Sequence, residues 1–187
     1  PGYADELESM INDNEVVLAR TKGIGIIEKN YAVDASVTGP MLRATGVQWD
    51  LRKADPYEVY GSMDFDIPIG FTGDTYDRYL VRIKEVRESL KIIKECVKRI
   101  EPGLVRTETN YFVRPPIGDA YSSIEGPKGE LGFYLVSDGG ISPYRCKVRA
   151  PSFINITALR DMLIGWKVAD LIVIFGSIDV NMGECDR

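Results

Sequence analysis

The chain has 187 residues, 44% of them hydrophobic, with 23 basic against 28 acidic side chains and a formal net charge of -5. That size and apolar content suit one soluble globular domain or two small ones, and the acidic balance argues against generic binding to a nucleic-acid backbone. The complete lack of histidine excludes Ser/His/Asp triads, Cys/His dyads and imidazole-ligated zinc or haem.

Cys96, Cys146 and Cys185 lie far apart with no CxxC spacing, so neither a four-thiolate metal cluster nor a disulfide framework is expected, and a reducing compartment is. The opening PGYADELESM is acidic and only weakly apolar, unlike a signal peptide, and Pro1 is not an initiator methionine, which points to processing or a fragment. The most apolar window, MLIGWKVADLIVIFGSI, is broken by Lys167 and Asp170 and falls short of the ~20 residues of a bilayer span. Membrane contact is therefore expected only through partners.

In chain order, LESMINDNEVVLART reads as a helix, with Leu7, Met10, Ile11 and Asn14 followed by Val17 and Leu18 at roughly helical spacing. TKGIGII interrupts it, and its lone GxG reads as a turn rather than a phosphate loop, since no strand precedes it and no GxGxxG follows. GPMLRATG sets Arg43 among apolar residues and glycines, as either a buried ion-pair residue or a site residue. Met63, Phe65 and Ile67 alternate with Asp64 and Asp66 as in a half-buried strand, the two aspartates forming its solvated face. Asp74 or Thr75 can then cap a helix.

That helix, from about Thr75 to Glu101, is the clearest element. Tyr76, Ile83, Leu90 and Val97 recur every seven residues, and Tyr79, Val86, Ile93 and Ile100 repeat the interval three positions on. The two rows predict a seam buried along its full length. Pro102 and Gly103 end the helix. Strands are expected near Asp119 to Ile124, Glu130 to Ser137 and Tyr144 to Arg149, joined by the turns GPKG and SDGG, with Cys146 as a small core residue and Arg145, Lys147 and Arg149 on a solvated or subunit-facing side. INITALRDMLIGWKVADLIVIFGSI predicts a helix, a break around Gly165 to Lys167 and a second apolar helix or strand. The fold class that follows is α+β: a long helix and shorter helices packed on a small, mainly antiparallel sheet, in one domain with an internal boundary near residue 55.

The stretches VTGPMLRATGVQWDLRKADPYEVY, GDTYDRYLVRIKEVRESLKIIKECVKRIEPG and GELGFYLVSDGGISPYRCKVRAPSFINI, together with the tail GSIDVNMGECDR, resemble the large-subunit superfamily shared by NiFe hydrogenases and the 49-kDa-type (D) subunit of respiratory complex I. The likeness is to the complex I branch, covers nearly the whole chain, and corresponds to the C-terminal half of such a subunit. In hydrogenases the tail carries D-P-C-x-x-C-x-x-H. Laid on this sequence from Asp179, the proline position falls on Val180, the cysteines on Asn181 and Glu184, and the histidine on Arg187; Cys185 is out of register by one. A NiFe site needs thiolates, so the resemblance implies no metal and no cofactor bound by this chain.

What it implies instead is part of the quinone-reducing peripheral arm of a complex I-like NADH dehydrogenase. Quinone is then a substrate, an iron-sulfur cluster lies in the neighbouring B-type subunit, the C-type subunit is a further partner, and NAD is used by the whole complex. The location implied is the cytoplasmic side of the cell membrane, and the isolated fragment is expected to be inactive. Asp179 and Arg187 are carried over as an ion pair in a low-dielectric quinone chamber, with Glu184, Asp186 and Arg43 as further candidates. The alternatives are a membrane-bound hydrogenase-related or deazaflavin-linked dehydrogenase subunit, or a non-catalytic scaffold that docks the cluster-bearing subunit. Between NYFVRPPIG and GPKGE the chain is short, more like the membrane-bound hydrogenase relatives or the archaeal deazaflavin-linked dehydrogenases.

Overall fold

The computed structural model describes residues 2–186, and their arrangement is set by one long helix with shorter helices and a three-stranded sheet placed against it. The chain opens with α1 (Gly2–Asn12) and α2 (Glu15–Thr21). These are two helices rather than the single one expected. Asn14 leaves the helix and its side-chain oxygen accepts from the backbone N–H of Val16 and Val17, so the polar residue that fits the helical pattern serves as an N-cap instead. Three short helices follow: α3 (Lys29–Asp34), α4 (Pro40–Ala44) and α5 (Leu51–Ala54).

Met63 and Phe65 are buried and Asp64 and Asp66 exposed, as their alternation predicts, but the segment pairs with no strand. It lies extended along the long helix α6 (Thr75–Arg99), where Met63 and Phe65 pack on Ile92 and the Asp66 N–H donates to Glu88 at 3.0 Å. Alternation reports which side chains are covered, not whether the backbone finds a ladder partner.

Asp74 caps α6 by accepting from the Asp77 N–H at 2.7 Å. The helix buries a different face from the one its heptad pattern marks. Thr75, Arg78, Val81 and Ile92 are fully buried, whereas Ile93 is 55%, Val97 69% and Ile100 79% exposed and Leu90 is half-buried. The expected full-length burial of the seam therefore does not hold among the described residues. At about 100° per residue, Ile92 and Ile93 point roughly a quarter-turn apart, and Met63 and Phe65 cover the Ile92 side.

The sheet is β1 (Gly118–Gly126), β2 (Gly129–Ser137) and β3 (Arg145–Arg149), antiparallel in the order β1-β2-β3, with Gly126 opposite Gly129 around the Pro127–Lys128 turn. Its elements match the sequence expectation. Cys146 does not: it is exposed, because nothing among the described residues covers the β3 face it occupies. The remainder is helical: α7 (Pro151–Asn155), α8 (Leu159–Leu163), α9 (Val168–Ile178) and α10 (Met182–Cys185). Ile24, Ile27, Met41, Met162, Ile174 and Ile178 form the centre of the main core.

Two glycines bring the β1–β2 turn onto α4. A Cβ on Gly39 would stand 2.4 Å from the Lys128 carbonyl oxygen, and one on Gly129 2.8 Å from the Gly39 nitrogen. Both have positive φ, 69° and 128°, which only glycine adopts without strain. Asn155 fastens the contact: its Oδ1 accepts from the Thr38 N–H at 3.0 Å, and its Nδ2 donates to the carbonyls of Thr38 and Lys128 at 3.2 Å each. The backbone approach fixes where Lys128 points.

Candidate functional site

Arg43, on α4, is 1% exposed and is the centre of an ionic cluster. Its Nε donates to Glu85 Oε1 at 2.6 Å, and its Nη1 donates to Glu125 Oε1 at 2.8 Å and to the Trp49 carbonyl at 2.9 Å. The partners come from α6, β1 and the α4–α5 connection, so one guanidinium ties three segments. Asp50, also buried, caps α5 and takes a two-pronged contact from Arg52, Nε to Oδ1 at 2.9 Å and Nη2 to Oδ2 at 2.6 Å. The second oxygen of Glu125 accepts the Leu51 N–H at 3.2 Å.

The cluster sets its own ionisation. Burial works against the charge on Arg43, but Glu85 and Glu125 outweigh it and hold the guanidinium's pKa above its ordinary value. Burial likewise opposes the Asp50 carboxylate, and the hydrogen bonds and charge of Arg52 with the charge of Arg43 together hold its pKa low. Glu85 goes the other way, its pKa raised by burial despite the opposing pull of Arg43.

Asp179 follows α9 with φ 61°, as the left-handed C-cap of that helix. Its partner is Lys128, with Nζ to Oδ2 at 3.0 Å, and its side chain is 51% exposed. Among the described residues the partner of Asp179 is thus a lysine of the β1–β2 turn, and its carboxylate is half open to solvent; the expected pairing with Arg187 falls outside them. Arg187 lies outside the described residues. Beside Asp179, Arg82 of α6 donates to the carbonyls of Arg78 and Ile178 at 3.2 and 3.3 Å, its Nε is buried without a partner, and it makes no salt bridge among the described residues. Burial lowers its pKa, with the charge of Asp179 pulling the other way.

These groups share one cleft of about 490 Å³. Its charged side carries Arg43, Arg52, Arg82, Glu85, Glu125 and Asp179, and its apolar wall is Val86, Leu90 and Ile93. An apolar wall facing a few fixed polar groups suits a planar ligand that is mostly carbon with a polar edge. Of the residues singled out from the sequence, Arg43 and Asp179 line this cleft. Asp186 is exposed and stands apart from it. Glu184 serves the tail: its Oε2 accepts the Ser152 N–H at 3.0 Å, and Asn181 caps α10. The two positions that align with hydrogenase cysteines therefore cap helices, and among the described residues no three Cys, Asp or Glu side chains converge as a metal-binding group.

Sequence reading missed Arg82, Glu85, Glu125 and Lys128. The spacing of Arg78, Arg82 and Glu85 at intervals of four and three places all three on one side of α6 and was the available signal.

Comparison with known proteins decides the lineage. The profile of the family described as "Respiratory-chain NADH dehydrogenase, 49 Kd subunit" matches residues 1–116 and 109–187. The chain belongs to that family. Among its relatives, the D subunit of the NADH-quinone oxidoreductase of Dehalococcoides mccartyi (strain ATCC BAA-2100) is 54% identical over 187 residues, covering 100% of this chain and 51% of the relative. The D subunit, form 1, of the same enzyme in Roseiflexus sp. (strain RS-1) is 53% identical over 195 residues, covering 100% of this chain and 52% of the relative. The corresponding subunit of Hydrogenovibrio crunogenus is 45% identical over 214 residues, covering 100% and 51%.

The chain thus spans about half the length of the curated 49 kDa-family relatives it matches. The longer alignments contain relatives' residues with no counterpart here, while the Dehalococcoides relative aligns over 187 positions. A short form of this region therefore occurs in proteins named as D subunits of NADH-quinone oxidoreductase. No described helix is long and apolar enough to cross a membrane.

Proposed function

We propose that the chain is the C-terminal half of a 49 kDa-type subunit in the quinone-reducing peripheral arm of a complex I-like dehydrogenase, and that the cleft between α6, the β1–β2 turn and the tail lines the quinone chamber. Membership of the 49 kDa family, with relatives named as D subunits of NADH-quinone oxidoreductase, carries this reading. The cleft supports it chemically, since a quinone ring is apolar on its faces and accepts hydrogen bonds at its two carbonyls.

In this reading quinone is the substrate and the chain holds no cofactor of its own. Electrons arrive from an iron-sulfur cluster in an adjoining B-type subunit, a C-type subunit is a further neighbour, NAD is consumed elsewhere in the complex, and the assembly sits at the cytoplasmic side of the membrane. The half-chain alone has no quinone reductase activity. Asp179, with Lys128 and Arg82 beside it, sets the polarity at the chamber edge, and Arg187 adds a second cation close by in sequence.

The test is Asp179→Asn in the assembled enzyme. Quinone-dependent turnover falls about ten- to hundredfold, equivalent to about 1 to 3 kcal/mol in the barrier, while assembly and electron transfer to an artificial acceptor upstream are retained. Loss of the subunit from the purified complex would mark a docking scaffold instead. Unchanged quinone turnover with normal assembly would defeat the chamber reading.

A further inference from the structure

The two faces of the sheet are built differently. Leu131, Phe133 and Leu135 alternate along β2, and the register sets Ile124 opposite Leu131, Val148 opposite Phe133 and Cys146 opposite Leu135, so all six share one face. That face carries no charged side chain. The other carries Arg145, Lys147 and Arg149 and closes hydrogen bonds of its own, from the Tyr121 hydroxyl to Glu130 at 3.0 Å and from the Tyr134 hydroxyl to Asp119 at 3.1 Å. An antiparallel sheet with this alternation keeps its polar face in water and packs the apolar one. Here Ile124, Phe133 and Leu135 are 43% to 44% exposed, and Cys146 is exposed. The arm leading into β1 gives no cover, since its Leu104, Val105 and Tyr111 are themselves almost fully exposed.

Relatives differ at this place in the chain. The family profile is matched in two pieces, 1–116 and 109–187, whose seam lies on the approach to β1 and marks where additional residues enter. The Hydrogenovibrio relative aligns over 214 positions against the 187 residues here, room for a helix of several turns with its connections, whereas the Dehalococcoides relative aligns over 187. The matched part is 51% of each relative, so the short form makes up no length elsewhere, and the other half of the protein is common to both forms. A cover that long relatives carry within their own chain, at the edge of this sheet, is thereby left in the short form to a separate chain.

We propose that in this short form the apolar face of the sheet is the docking site of one amphipathic helix from a separate polypeptide of the assembled enzyme, in the place where longer relatives fold over a segment of their own. The dimensions fit a single helix. With neighbouring strands ~4.8 Å apart, β1 and β3 stand ~10 Å from each other, the diameter of one helix. From Leu131 to Leu135 the apolar rows run ~14 Å, which about nine helical residues cover. A hollow of about 580 Å³ continues the face past Leu135, between Val113, Ile117 and Ile141, and receives a further large apolar side chain of the docked helix. The proposal rests on membership of a multi-subunit enzyme and not on the role of the quinone cleft: Asp179→Asn reads turnover, whereas the experiment below reads only what covers the sheet.

Cys146 is a native probe at the centre of the outer row. The full-length subunit, isolated and in the assembled enzyme, is treated with a maleimide and the labelling of Cys146 is followed by peptide mass spectrometry. The thiol is expected to react freely in the isolated subunit and on the order of 100-fold more slowly in the assembly, the ratio of an open site to a packed one. A benzophenone amino acid in place of Phe133 is then expected to cross-link, in the assembly, to a different polypeptide. Inserting the additional Hydrogenovibrio segment between residues 109 and 116 is expected to protect Cys146 in the isolated subunit and to abolish that cross-link. Protection already present in the isolated native subunit would assign the face to its own chain, and protection that rises with its concentration, or a cross-link to a second copy, would assign it to a dimer; each result overturns the proposal. So does a Cys146 that stays reactive in the assembly.

Discussion

Arg43 and Glu125 stand 82 positions apart in the chain and meet at 2.8 Å, with side chains 2% and 3% exposed. A charge pair so far from water is useful to the fold only while complete, because each partner compensates the other's lost hydration. Arg43→Met is therefore expected to strand Glu125 and Glu85 and to lower stability by about 3 to 5 kcal/mol. Glu125→Gln should cost less, since an amide oxygen still accepts from Arg43. Urea unfolding of the two variants checks both the size and the order.

Arg78 is a buried arginine of a second kind. Its guanidinium donates to the carbonyls of Gly25 and Gly73 and to the hydroxyls of Thr75 and Ser177, at 2.8 to 3.0 Å, and no carboxylate is among these partners. The planar fork matters more than the charge here, so Arg78→Lys is expected to lose several of the four contacts and destabilise by about 2 to 4 kcal/mol. A loss below about 1 kcal/mol would show that water replaces the missing donors.

Acid stability should depend on Asp50. Because its folded-state pKa is depressed, the stabilisation it provides is complete above the unfolded-state pKa, near pH 4, and is lost as pH falls through the lower folded value. Glu85 has the opposite sign: with a raised folded-state pKa, the folded protein binds the extra proton, and its contribution declines as pH rises toward that value. Unfolding free energy measured from about pH 2 to 7 is expected to show a shallower acid limb in Asp50→Asn and a smaller loss on the rising side in Glu85→Gln.

The position of Lys128 rests on backbone contact. Gly129→Ala would put a Cβ 2.4 Å from Thr38 Cγ2 at φ 128°, and is expected to destabilise by on the order of 2 to 4 kcal/mol from strain and overpacking. Lys128→Met, which removes only a half-exposed pair with Asp179, should change stability by less than about 1 kcal/mol. Thermal unfolding of the two variants side by side separates the role of the turn from that of its side chain.

The amino-acid sequence by itself determined the α+β class, the three strands and their turns, the extent and cap of α6, and the loss of thiolates at the tail. Each of these is local: a period of two or 3.5, a capping aspartate, a glycine at a turn, a residue type at a motif position. The family likeness was legible for the same reason, since it is carried by contiguous runs such as GPMLRATG and GELGFYLVSDGG.

Tertiary structure alone decided which faces are covered and which charges meet. The heptad rows of α6 mark a surface able to pack, but Val81 and Ile92 are buried, Ile92 under Met63 and Phe65, while Ile93 and Val97, a part-turn away, are open. Cys146 alternates like a core residue on a strand whose face meets nothing among the described residues. Arg43 finds Glu85 and Glu125, and Asp179 finds Lys128, across separations of 42, 82 and 51 residues. Electrostatic partners are chosen by distance in space and by shared exclusion from water, neither of which leaves a periodic trace in the order of residues along the chain.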